Sequence, residues 1–207
     1  MKKRQVHNLI ILDESGSMNG IKPFIMEGFN ELIKTIKDIA NQFPEQEHYI
    51  SMVSFNSKEK NVLHFVDDVN QIKEINKNSY NPDALTPLYD AIGFAVLKLK
   101  NQIENNKNYH VLVTILTDGE ENASVEFSGL EINQLIKKLK LLNWTFTYIG
   151  TEHNVERTAL NLNIKYSLSF DKNQLGIKKM FYKEKMARIK YSQSIREGKS
   201  ETSDFYE

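Results

Sequence analysis

Leu9-Ile10-Ile11-Leu12 is an unbroken apolar run that stops at Asp13. A short run bounded by polar residues predicts a buried strand, here Val6 to Asp13. The period then changes. Pro23 sits where a first helical turn tolerates it, and Ile25, Phe29, Leu32, Ile33, Ile36 and Ala40 follow at spacings of three and four. That spacing predicts an amphipathic helix. Tyr49 to Phe55 reads as a second strand and Val62 to Val66 as a third. The short polar turn between them predicts a hairpin at a sheet edge. Leu88, Ala91, Ile92, Ala95 and Leu99 mark another helix. His110 to Leu116 is nearly all apolar and runs into Thr117-Asp118-Gly119. It reads as a central parallel strand buried on both faces. Leu130, Leu135, Ile136 and Leu139 give a helix, and Trp144 to Ile149 a strand ending at Gly150. Val155 to Leu162 is a short helix, Tyr166 to Phe170 a short strand, and a last helix begins near Lys172.

This alternation predicts an α/β fold: a doubly wound, mostly parallel central sheet with one antiparallel edge strand and helices on both faces. In such sheets ligands bind beyond the carboxyl ends of the strands. The chain has 207 residues, 40% of them hydrophobic, enough for the core of one domain. No internal repeat or low-complexity linker divides it. Residues 1–196 are expected to form a single domain. Residues 197–207, polar and without a periodic apolar face, are expected to form a flexible tail.

Charge and composition narrow the partners. Lysine plus arginine number 27, equal to aspartate plus glutamate, so bulk charge favours neither nucleic acid nor a membrane surface. The absence of cysteine excludes disulfides, thiolate metal sites and cysteine nucleophiles. Met1-Lys2-Lys3-Arg4 is basic like the start of a signal peptide. The apolar run after it is too short for an h-region and ends in an acid. No segment approaches the ~18 uninterrupted apolar residues of a membrane span. The expected location is the cytoplasm.

Three loops carry the candidate chemistry. The first holds Asp13, Ser15 and Ser17. The second, Asp83-Ala84-Leu85-Thr86-Pro87, places Thr86 just before a helix that begins with Pro87, where Thr86 also makes a good N-cap. The third is Thr117-Asp118-Gly119-Glu120-Glu121. Together they offer three hydroxyls and two carboxylates. These are hard oxygen donors suited to Mg²⁺, which keeps several waters in its octahedral shell. Glu120 and Glu121 read as solvated loop charges rather than ligands.

Asp13-Glu14-Ser15-Gly16-Ser17, Thr86-Pro87-Leu88-Tyr89-Asp90-Ala91-Ile92 and Leu116-Thr117-Asp118-Gly119 resemble the von Willebrand factor type A domain. The metal-ion-dependent adhesion site of that family has the pattern Asp-x-Ser-x-Ser, a distant Thr and a more distant Asp. Asp13, Ser15, Ser17, Thr86 and Asp118 match all five positions, in order and spacing, and the element order covers about residues 6–193. The resemblance implies a bound Mg²⁺ or Mn²⁺. The serine hydroxyls would bind it directly, the threonine directly or through water, and the aspartates often through water. It implies a protein partner whose Glu or Asp fills the last coordination position. It also implies an adaptor role in a bacterial multiprotein assembly, of the kind that serves AAA+ ATPases, stress responses or defence. One departure is Leu85, where many relatives have glycine, a difference that bears on loop mobility.

Other residues read more plainly. His7, His48, His64, His110 and His153 are scattered without paired metal spacing and are expected to be structural or surface residues. Trp144 is expected in the core. Between Lys172 and Lys190 lie Lys172, Lys178, Lys179, Lys183, Lys185, Arg188 and Lys190 against one acid, Glu184. Leu175, Phe181, Tyr182, Met186 and Ile189 are expected on the buried side of that helix, with the charges solvated. The alternative is a docking face for an acidic partner or nucleic acid. An enzyme is not expected. The G-x-S-x-G elbow and the phosphate-binding P-loop are absent, and Ser15 stands where aspartyl-phosphate enzymes carry a second Asp. Metal-assisted hydrolysis remains the competing catalytic reading. The sequence leaves oligomeric state open.

Overall fold

Strands β1 (Arg4–Asp13), β2 (Gln46–Phe55), β3 (Lys60–Asp68), β4 (Tyr109–Leu116), β5 (Trp144–Gly150) and β6 (Tyr166–Ser169) form one sheet in the order β3-β2-β1-β4-β5-β6. All neighbours are parallel except β2 and β3, an antiparallel edge pair with a register shift near Met52. The computed structural model describes residues 3–106, 108–151, 154–199 and 205–206. His153 lies outside them.

The helices are α1 (Lys22–Gln42), α2 (Leu88–Ile103), α3 (Gly129–Lys140), α4 (Val155–Asn161) and α5 (Gln174–Arg196). Strand alternation sorts them into two layers. Leu9 and Ile11 of β1, with Val111, Val113 and Ile115 of β4, pack under α2, α3 and α4. Ile10 and Leu12, with Leu116, pack under α1 and the first half of α5. Both faces of the central strands are therefore buried, which explains their continuous apolar runs. Trp144 is buried in the first layer, as expected. Among the described residues no helix is long and apolar enough to cross a membrane.

Helices α1 and α5 approach closely. A Cβ on Gly28 would lie 2.0 Å from the Phe181 ring, and Phe29 meets that ring edge-on at 5.4 Å. Only glycine fits at position 28.

The buried face of α5 differs from the sequence expectation. Ile177, Met180, Phe181, Glu184, Ala187, Arg188, Tyr191 and Ile195 face inward, while Leu175, Tyr182 and Met186 are exposed. Two charges lie inside because they satisfy each other and the sheet. Arg188 Nε donates to Glu184 Oε1 at 2.9 Å. Its other nitrogens donate to Asn8 Oδ1 and Thr114 Oγ1, each at 2.7 Å. The hydrogen bonds of this buried pair offset the desolvation cost that lone charges bear in full. Arg188 therefore leaves the basic surface.

The expected flexible tail is also corrected at its described end. Phe205 is buried against Val6, Leu112, Tyr191 and Ile195, and Tyr206 donates its hydroxyl to Glu184 Oε2 at 2.8 Å.

Candidate functional site

The strand order reverses direction at β1. From β1 the chain turns to α1 on one face of the sheet; from β4, its neighbour, it turns to α3 on the other. The loops diverge and leave a crevice beyond the strand ends, where open α/β sheets take ligands. Leu12 pairs with Leu116, so Asp13 and Thr117 stand side by side at its floor.

Asp13 is fully buried. Its Oδ1 accepts the Ser15 amide at 2.7 Å and its Oδ2 accepts the Thr117 hydroxyl at 2.6 Å. Burial pushes its carboxyl up to about 6, against the pull of those hydrogen bonds. After Ser15 the chain enters a single 3₁₀ segment, Gly16–Ile21, which the sequence reading did not resolve. It carries Ser17 over the crevice. The Ser15 and Ser17 hydroxyl oxygens are 3.1 Å apart, and Ser17 Oγ donates to Asp118 Oδ1 at 2.5 Å. Lys172, in the turn before α5, places its ammonium 2.7 Å from Asp118 Oδ2.

Thr86 approaches from the long connection between β3 and α2. A methyl group added to Gly119 would lie 3.9 Å from Thr86 Oγ1 and 4.0 Å from Ser17 Oγ, so both hydroxyls border the same point. The structure thus gathers Asp13, Ser15, Ser17, Thr86 and Asp118 at one end of the sheet. Thr86 is not the N-cap, however. The helix begins one residue later than expected, with Pro87 in the cap position and no side-chain cap bond. Its free amides are met from another loop. Glu121 Oε2 accepts Tyr89 N at 2.9 Å, and Ser124 Oγ accepts Asp90 N at 3.1 Å.

Several residues that the sequence reading passed over hold these loops. Thr86 N donates to Asn122 Oδ1 at 2.9 Å, and Asn122 N returns a bond to Thr86 O at 3.2 Å. Tyr80, fully buried, donates to the Asp13 carbonyl at 2.8 Å. Glu14 accepts Asn81 N, and its carbonyl accepts Asp83 N at 2.8 Å. Glu121 Oε1 accepts Ala123 N and Ser124 N at 2.8 and 2.7 Å, so it is a loop clamp and not a solvated charge. Asp90 accepts the amides of Val125, Glu126 and Phe127. Burial works to raise its carboxyl, but these three bonds outweigh it and hold the group below the usual range. The available signal was an acidic residue in the first turn of α2; its partners lie too far along the chain for a local pattern to show.

Among the described residues no three of His, Cys, Asp or Glu gather as a metal-binding group, so any cation here relies on hydroxyls. His7, His48 and His110 lie near the amino ends of their strands, away from the crevice. Exposed Leu85 stands at the crevice rim, its amide bonded to Ser57 Oγ at 3.1 Å.

The sequence profile of the von Willebrand factor type A domain matches residues 9–194. Among curated proteins none matches the chain significantly by sequence alone. Many solved structures are similar to the chain, among them two whose likeness is one of fold. Proximal thread matrix protein 1 from the mussel byssus shares 13% identity at a TM-score of 0.57, over 91% of this chain and 47% of that one. The chain thus spans about half the length of the mussel protein. The SpRpn10 VWA domain shares 14% identity at a TM-score of 0.58, over 87% of this chain and 95% of that one.

Proposed function

Because the chain belongs to the von Willebrand factor type A domain family, we propose that it is a metal-dependent protein-interaction module. Asp13, Ser15, Ser17, Thr86 and Asp118 would hold Mg²⁺ or Mn²⁺. The observation that carries this reading is the contact of Ser15, Ser17 and Asp118 in one crevice, with Asp13 beneath and Thr86 alongside. The donor set fits the ion: every donor is a hard oxygen, and two carboxylates balance a divalent charge. Thr117 and the Ser15 amide hold Asp13 in place, and Asn122 holds the Thr86 loop, so the donors are set by their neighbours before any ligand arrives.

When bound, the ion supplies a positive centre that attracts an anionic oxygen. The partner would provide it as a Glu or Asp side chain. One such contact is small, so specificity falls to the rim, where Leu85 offers an apolar contact and Glu120 an exposed charge. The role is binding and not catalysis. It is exercised in the cytoplasm, within a bacterial multiprotein assembly.

The test is capture of partners from native lysate on immobilised protein, in Mg²⁺ and in EDTA, with Asp13→Ala as control. Partners that come down in Mg²⁺ and are lost in EDTA and with the variant support the reading. An identical set in all three would remove it.

A further inference from the structure

Asp118 has a fully buried side chain, and its two oxygens are served differently. Oδ1 accepts the Ser17 hydroxyl, while Oδ2 faces the Lys172 ammonium at 2.7 Å. Lys172 is not part of the crevice floor. It reaches in from the turn between β6 and α5, with about a fifth of its side chain exposed. The carboxylate is thus compensated by a cation on a flexible stem. A buried carboxylate without a positive partner is costly, so an ammonium here stabilises the crevice when no other cation is present.

From this contact we infer that Lys172 is the built-in counter-ion of the candidate cation site and competes with the divalent ion for Asp118. The inference rests on the metal-binding reading above and names what regulates that site. An ammonium and a divalent ion cannot both sit against one buried carboxylate without strong repulsion in a medium that screens poorly. Binding the ion therefore requires Lys172 to withdraw toward solvent, which its partial exposure and long aliphatic stem permit. The ammonium sets a threshold. Below it the site is neutralised from within; above it the ion takes over. A lysine suits this role because it is a compact point charge, whereas a carboxylate clamped by a rigid guanidinium would release less readily.

The experiment is calorimetric titration of Mg²⁺ and Mn²⁺ into wild type, Lys172→Met, Lys172→Gln and Lys172→Arg, with melting curves in EDTA and in excess Mg²⁺. Circular dichroism identifies the folded variants, and having two neutral ones guards against loss of either. The neutral variants are expected to bind the ion about tenfold tighter than wild type, as removal of a competing charge implies. They should also melt lower in EDTA and gain more on adding Mg²⁺. Lys172→Arg should bind the ion more weakly than wild type, because a guanidinium releases the carboxylate less readily. Neutral variants that bind no tighter than a metal-binding wild type overturn the role of Lys172 and leave the metal reading intact. Uptake by the neutral variants alone supports it in its strongest form. No uptake by any folded protein overturns both.

Discussion

Ser17 and Asp118, 101 positions apart in the chain, share a hydrogen bond of 2.5 Å across the crevice between β1 and β4. Both groups offer oxygen toward the same space, and neither belongs to the packed core that holds the fold together. Replacing either with alanine is expected to lower Mg²⁺ and Mn²⁺ affinity at least ~10-fold, the order seen when a group supporting a metal site is lost. Melting temperature in EDTA should shift by only a few degrees. Calorimetry beside thermal melts separates the two effects, and undiminished ion uptake by Asp118→Ala would rule out this carboxylate as part of the site.

Asn122 is not itself a candidate ligand, yet it exchanges bonds with the backbone of Thr86 in both directions. Asn122→Ala removes the acceptor for Thr86 N and loosens the loop. A stability loss of ~1 kcal/mol is expected, with ion affinity falling by up to ~10-fold. Titration calorimetry and urea melts on the same protein give both numbers. A change in stability without any change in affinity would show that Thr86 contributes no ligand.

The buried pair in α5 gives a prediction about stability alone. Arg188→Met leaves Glu184 buried with its main cation gone, and should cost ~3–5 kcal/mol. Arg188→Met with Glu184→Leu should recover much of that loss, because no isolated charge remains. Urea denaturation of the three proteins tests this. A double variant as unstable as the single one would mean that Asn8 and Thr114, which also bond Arg188, carry the effect.

Acid should destabilise the protein well before its surface carboxylates titrate. Burial lowers His7, His48 and His110 to about 4 from the ordinary 6.5. Between those values the unfolded chain holds protons that the folded chain does not, so stability falls as pH falls through that window. At about pH 5.5 each histidine costs ~1 kcal/mol by this linkage. Asp13 works the other way, since a carboxyl raised to about 6 is relieved by protonation as pH falls. Three groups against one leave a net loss. Urea midpoints at neutral pH and at about pH 5.5 should show it, and His48→Leu should shrink the difference.

The strands were legible because burial on two faces leaves short continuous apolar runs bounded by polar residues. Asp13, Ser15, Ser17, Thr86 and Asp118 were legible as a set because each lies beside such a run or a helix start. The phase of α5 was not. Glu184 and Arg188 read as solvent residues until their mutual bond is seen, and accepting them inside turns Leu175, Tyr182 and Met186 outward. Thr86 looked like a cap because Pro87 follows it, yet the helix draws its caps from Glu121 and Ser124, more than thirty positions away. By sequence Lys172 is one of a basic series. Its partner lies 54 positions earlier, on another strand end, and no local spacing encodes that meeting.

The reversal at β1 has a mechanical side. Its loop leads into the helical layer of α1 and α5, and the loop of β4 leads into the layer of α2, α3 and α4. A ligand gripped by both loops is anchored to the two layers at once. Tension on that ligand would enter the middle of the sheet through two parallel, adjacent strands and not through an exposed edge.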